Sequence, residues 1–331
     1  MHKFKKRGVL IALAVVLVFS LVVISDIAGG GGDARIDFRV NEGDGLSAIA
    51  KNLKAAGVIN SGTAFKIYAR ITGKHIYQMG IHSLNASMSY GEIIDELEKM
   101  PEKEEVTVLI PEGFELRQIA DTLEKAGLIN KEVFMREIQV GNFDYDFIAQ
   151  IPDRENRLEG YLFPDTYKFA KDDSEHNIIN TMLANFNKLV IPVYEAAQTD
   201  KTLDEIINLA SIVEREAAGD DERKRVASVF VNRLNKNMRL ESCATVQYLL
   251  KERKSILSNS DTQIDSPYNT YKNSGLPLGP IASPGLKSIE AALYPEQTNY
   301  LYFLATADGS YSLFAETFEQ HLENQRQTQS N

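Results

Sequence analysis

One stretch of this chain recurs at an offset of 70 residues, and that repetition constrains the fold more than any other feature. Phe38-Arg-Val-Asn-Glu-Gly43 is followed by Leu46, Ile49-Ala50, Leu53 and Ala56-Gly-Val-Ile-Asn60. Leu109-Ile-Pro-Glu-Gly113 is followed by Leu116, Ile119-Ala120, Leu123 and Ala126-Gly-Leu-Ile-Asn130. Each copy reads as a short strand, a Glu-Gly turn and an amphipathic helix closed by Gly57 or Gly127 as a left-handed cap. A further helix is expected to start near Ser61 and near Lys131. Ser87-Met-Ser-Tyr-Gly-Glu-Ile-Ile-Asp-Glu-Leu97 reads as one more, under a serine cap.

The repeated pattern resembles LysM-like modules, which bind glycans containing N-acetylglucosamine. Two readings of it stay open: sugar binding, or a structural spacer. The chain has no Trp, so sugar stacking would fall to Tyr or Phe. Its 331 residues suffice for two or three domains with cores of their own. A formal net charge of −10, with no basic, aromatic-interleaved patch downstream of the N-terminus, speaks against nucleic acid as a partner. Cys243 is the single cysteine, so no intrachain disulfide forms, and the five histidines lack HExxH spacing. No metal or cofactor is expected.

At the N-terminus Lys3, Lys5, Lys6 and Arg7 precede an uncharged apolar run from Gly8 to Ser25. Eighteen residues at helical rise reach about 27 Å, near the thickness of a hydrocarbon core. The run is longer than a usual signal-peptide core and Asp26 spoils the cleavage pattern, so an uncleaved single-pass anchor is expected rather than a signal peptide. Its basic flank would stay in the cytoplasm and the rest of the chain outside. Gly29 to Gly32 then reads as a flexible linker.

Downstream, Leu203, Ile206, Ile207, Leu209, Ala210, Ile212 and Val213 recur at three- and four-residue steps and predict a helix apolar over most of its circumference, hence deeply packed. Glu214 continues the stripe through Ile207 and Ala210. A carboxyl against apolar neighbours holds its proton more tightly, and a protonated acid is what cleavage of a glycosidic bond requires. The competing reading is a solvated helix end, since Glu214-Arg-Glu-Ala-Ala-Gly-Asp-Asp-Glu-Arg223 is heavily charged.

Leu158-Glu-Gly-Tyr-Leu-Phe-Pro-Asp-Thr-Tyr-Lys-Phe169 is dense in rings, with Glu159 and Asp165 among them. It suits either a carbohydrate-binding rim or a turn whose rings simply pack. Arg223 to Leu234 is an amphipathic helix, and Ser266-Pro-Tyr-Asn-Thr-Tyr271 with Gly275 to Gly285 forms a long segment that regular structure cannot easily occupy. Lys287 to Leu293 reads as a short helix. Tyr300 to Ala305 reads as a buried strand in a hairpin with Tyr311 to Ala315.

The ordered set LEGYLFPDTY, LASIVEREA, VASVFVNRL, TVQY, YNTY, GLPLGPIASPG and YLYF is similar to the MltG (YceG-like) family of endolytic murein transglycosylases. It covers roughly Glu159 to His321, and the LysM-like portion and anchor match that family's layout. One departure is Ser242-Cys-Ala-Thr245, where many members show Ser/Thr-Asp-Pro-Thr. The resemblance implies an α+β protein: an N-terminal transmembrane helix, LysM-like strand–helix modules, then a mixed α+β catalytic domain. The expected boundaries are 1–7 cytoplasmic tail, 8–25 anchor, 26–34 linker, 35–104 first module, 105–154 second module, 155–325 catalytic domain and 326–331 tail.

The same resemblance makes Glu214 the catalytic acid and Glu216 a neighbour. It implies non-hydrolytic cleavage of the β-1,4 bond between N-acetylmuramic acid and N-acetylglucosamine in peptidoglycan, with membrane-bound wall synthases as partners by analogy. Glu159, Asn232, Gln247, Tyr268, Asn269 and Tyr271 are the candidate substrate contacts, each equally open to a structural role, since Asn and Tyr also cap and plug loops. Two other functions remain: a non-catalytic wall-binding scaffold, and a muramidase using water.

Overall fold

The computed structural model of the chain describes residues 26–29, 31–74, 76–101, 104–250, 253–254, 256–306 and 309–329. The expected anchor, 8–25, lies outside them, and no helix among the described residues is long and apolar enough to cross a membrane. The fold is mixed α+β, mostly helical with small two-stranded sheets, in two compact units divided between Glu104 and Glu105.

In the first unit β1 (Ile36–Val40) pairs antiparallel with β2 (Gly80–Leu84), Phe38 opposite His82. Between them lie α1 (Leu46–Ala55) and α2 (Gly62–Thr72), the latter capped by the Ser61 hydroxyl. After β2 comes α3 (Tyr90–Glu98), held by a Ser89–Glu92 capping box. Ile49, Leu53, Phe65, Tyr90, Ile94 and Leu97 make its core. Part of the expected linker is docked onto this unit. Asp26 is buried and accepts hydrogen bonds from the backbone N–H groups of Asn60 (2.7 Å) and Ser61 (2.8 Å) and from the Tyr90 hydroxyl.

The second unit repeats the pattern and then elaborates it. β3 (Glu105–Ile110), α4 (Leu116–Lys125) and α5 (Lys131–Val140) follow the first copy's order. β3 finds its antiparallel partner only at β4 (Asp165–Ala170), with Ile110 opposite Asp165 and Val106 opposite Phe169. Residues 105–154 therefore share one core with those that follow. The ring-rich stretch before and within β4 turns inward: Tyr161, Phe163, Tyr167 and Phe169 are buried, which is the packing reading of that stretch rather than the carbohydrate rim.

Then come α6 (Glu175–Leu189), α7 (Ile191–Ala197), α8 (Leu203–Glu216), α9 (Arg223–Asn235), α10 (Cys243–Leu249) and α11 (Leu286–Leu293). The expected hairpin forms from β5 (Tyr302–Ala305) and β6 (Ser312–Ala315). Its first strand is half-buried rather than buried, because a sheet of two strands leaves a face open. α12 (Phe318–Gln329) runs on through residues expected as tail.

α8 is the central helix. Thr202 and Glu205 form its capping box, and every residue from Ile206 to Val213 is buried, as the apolar periodicity predicts. It packs against α9, α10 and α11.

Candidate active site

Two of the buried residues of α8 are polar, and they organise the site. Asn208, Ser211 and Glu214 follow one another at three-residue steps, so they share one face of the helix. Along that face runs the Pro-rich segment from Gly275 to Gly285, whose prolines cannot supply the donors of a regular ladder. Its main-chain groups are met by side chains instead. Asn208 Nδ2 donates to the carbonyl of Pro277 (2.7 Å). The N–H of Ile281 donates to Ser211 Oγ (3.0 Å), and that of Gly285 to Glu214 Oε2 (3.0 Å). Each step along the helix thus engages a point further along the segment.

The Glu214 side chain is only 7% exposed, but its carboxyl does not sit in the expected apolar niche. The apolar stripe anchors the helix, while the carboxyl projects past it into polar surroundings. Arg223 Nη1, at the start of α9, lies 3.0 Å from Oε1. The Ser288 hydroxyl, in the first turn of α11, donates to Oε2 at 2.8 Å. Arg223 also donates to Ser288 Oγ and, through Nε, to Asp220 (3.0 Å), which Lys287 contacts in turn.

The Glu-Gly turn of the second repeat reaches the same place. Gly113 has φ +74°, the left-handed region, and a Cβ there would stand 3.4 Å from Arg215 Cδ and 3.5 Å from Glu214 Cγ. Paired main-chain bonds of 2.8 Å, Gly113 N–H to Ser283 O and Ser283 N–H to Phe114 O, tie the turn to the Pro-rich segment. Arg215 Nη1 donates to the Gly113 carbonyl (2.5 Å). Glu112 is thereby set beside Glu214. Desolvation and then the Glu214 carboxylate raise its proton affinity, against the pull of Arg223.

Glu216 faces different partners. Burial raises its proton affinity, opposed by hydrogen bonds from Ser242 Oγ (2.5 Å) and the N–H of Ala244 (3.0 Å). A proline at position 244 could not give that second bond. The departure at Ser242-Cys-Ala-Thr245 therefore supplies a donor to a half-buried carboxyl. Glu216, Cys243, Tyr271 and Tyr302 help line a cavity of about 420 Å³.

The sequence-derived contacts fall into three groups. Glu159 and Tyr268 line a cavity of about 370 Å³ with Arg117, Asn156 and Tyr248. Glu159 is 1% exposed and accepts from the N–H of Leu116 (2.9 Å) and from Tyr248 (3.1 Å); burial pushes it up to about 8. Tyr271 lines the Glu216 cavity, its hydroxyl 3.1 Å from Cys243 Sγ. The three amides hold main chain. Asn232 donates to the carbonyls of Thr298 and Tyr300, and Asn269 to those of Thr262 and Ile264. Gln247 clasps both the N–H and the C=O of Lys254.

Residues 38–327 match the model of the YceG-like family. The chain belongs to the YceG-like family. A Bacillus subtilis (strain 168) protein named endolytic murein transglycosylase is 35% identical over 298 residues, covering 86% of this chain and 82% of its own. A Streptococcus pneumoniae (strain D39) protein of the same name is 33% identical over 312 residues; the match covers 86% of this chain and 57% of that longer relative. A crystal structure of a YceG-like protein from Listeria monocytogenes, 33% identical, superposes with a TM-score of 0.59 over 88% of this chain and 99% of its own.

Arg223, Ser288 and Glu112 were not among the sequence-derived candidates. Glu112 had one available signal, its place in the repeated Glu-Gly turn. Arg223 and Ser288 had none, because their approach to Glu214 depends on how α9 and α11 pack on α8.

Proposed function

We propose that this chain is an endolytic murein transglycosylase that cuts the β-1,4 bond between N-acetylmuramic acid and N-acetylglucosamine without water. The observation that carries the reading is Glu214: a nearly buried carboxyl at the end of a buried helix, facing a cation and two hydrogen-bond donors, in a chain whose relatives bear that name.

In the proposed reaction Glu214 gives its proton to the glycosidic oxygen as the C1–O4 bond breaks. The C6 hydroxyl of the muramyl residue then attacks C1, forming the C1–O6 bond of a 1,6-anhydro end, and its proton returns to Glu214. The carboxylate left after the first transfer is met by Arg223, Ser288 and the Gly285 N–H, a fixed set of positive partners for developing negative charge. One residue used twice removes the need for the second carboxylate that two-carboxylate hydrolases employ as nucleophile or base.

The cavity holding Glu159, Tyr248 and Tyr268 has the mixture of rings and polar groups that suits a sugar, and we assign it to the bound strand. The proposal extends to a single-pass anchor at 8–25 with the N-terminus cytoplasmic, holding the enzyme near nascent glycan strands and membrane-bound synthases. Its support is the basic flank and apolar run of the sequence.

Mass spectrometry of peptidoglycan digested by the full chain and by Glu214→Gln tests the reaction. Anhydromuropeptides from the wild type and none from the variant are expected. New reducing ends would instead make it a muramidase, and binding without products a wall scaffold.

A further inference from the structure

Glu112 has an internal reference, the residue 70 positions earlier in the first repeat. Glu42 occupies the same place in the Glu-Gly turn, is exposed, and sits in the other compact unit. The second copy has carried its glutamate to the reaction centre. A Cβ on Gly285 would stand 1.9 Å from Glu112 Oε1 and 2.7 Å from Oε2, so the Glu112 carboxyl rests directly against that glycine. The N–H of the same glycine is bonded to Glu214 Oε2. The two carboxyls thus flank one residue.

We propose that Glu112 is a positioning residue for the transfer, its carboxyl set against Gly285 beside Glu214 and Arg223 so that it supplies the acid with its proton. The inference rests on Glu214 being the acid. The charged groups around the pair are Arg223 on α9, Asp220 in the turn before it, Lys287 on α11 and Arg215 on α8. Burial and then the neighbouring Glu214 carboxylate raise the proton affinity of Glu112, against the pull of Arg223. Unlike Glu214, Glu112 is exposed, so it stands between the enclosed acid and solvent. A proton held on Glu112 gives the enclosed acid a source beside it, which the expected apolar niche was to have provided.

The test is the pH profile of kcat/KM for the full chain on glycan strands, for wild type, Glu112→Gln, Glu112→Asp and Glu42→Gln. Glu112→Gln removes the proton-holding carboxyl, so the alkaline limb should move about one unit to lower pH, with roughly a tenfold loss of kcat at neutral pH and KM unchanged. Glu112→Asp should keep the limb near its wild-type position, and Glu42→Gln should match wild type. A Glu112→Gln profile that superimposes on wild type, or falls equally at every pH, overturns the proposal. Retained activity in Glu214→Gln would remove the acid itself, an outcome distinct from the failure of the Glu112 variants.

Discussion

Arg223 and Glu214 form a 3.0 Å ion pair in which both side chains are nearly withdrawn from water, 12% and 7% exposed. Arg223 opens α9 and Glu214 nearly closes α8, so the pair fastens the two helices where the chemistry is proposed. Enclosed pairs of this kind punish removal of one partner more than their net contribution suggests, because the other charge is left without compensation.

Arg223→Met should therefore lower unfolding free energy by about 3 kcal/mol, measured by chemical denaturation. Adding Glu214→Gln to that variant should recover part of the loss. A double-mutant cycle with strictly additive effects would mean that the two side chains do not act as a unit.

Ser211→Ala leaves the Ile281 N–H buried without an acceptor, at a cost of about 1–3 kcal/mol. The substitution is one turn from Glu214, on the face that holds the Pro-rich segment. Loosening at Ile281 should reach Gly285, so turnover should fall more than the loss of folded protein accounts for. Activity per folded molecule equal to wild type would confine Ser211 to stability.

Gly285→Ala tests crowding rather than conformation. Gly285 has φ −74° and ψ 165°, which alanine adopts freely, yet its Cβ would overlap the Glu112 carboxyl. That carboxyl is the end of a flexible side chain and can swing away. The expected result is a folded protein with transglycosylase activity reduced about tenfold, the same factor as loss of the Glu112 carboxyl. Full activity would show that the place of Glu112 is immaterial.

Stability should depend on Glu159. Burial pushes this carboxyl to about 8 from the ordinary 4.5, so the folded chain keeps a proton that the unfolded chain releases. Over that window the folded state binds more protons, and unfolding free energy falls as pH rises. Denaturation midpoints compared at about pH 5 and pH 8 should show the decline, and Glu159→Gln should reduce it. An unchanged pH dependence in that variant would assign the decline elsewhere.

Local order determined much of this protein. The apolar steps from Leu203 to Val213 identified a helix buried all round, because a 3.6-residue period needs no knowledge of distant partners. The repeat with Gly57 and Gly127 identified two strand–turn–helix units for the same reason, their turn and cap positions having only one chemistry available. The motif order from Glu159 to His321 carried the family. Only the tertiary structure decided what surrounds Glu214. Three-residue spacing placed Asn208, Ser211 and Glu214 on one face, but that this face receives a proline-rich segment followed from long-range packing, as did the approach of Arg223, Ser288 and Glu112. A carboxyl's neighbours across space are set by how helices dock, and no period along the chain encodes them. Hence the apolar niche expected from the helix face was replaced by a cation, two donors and a second carboxylate.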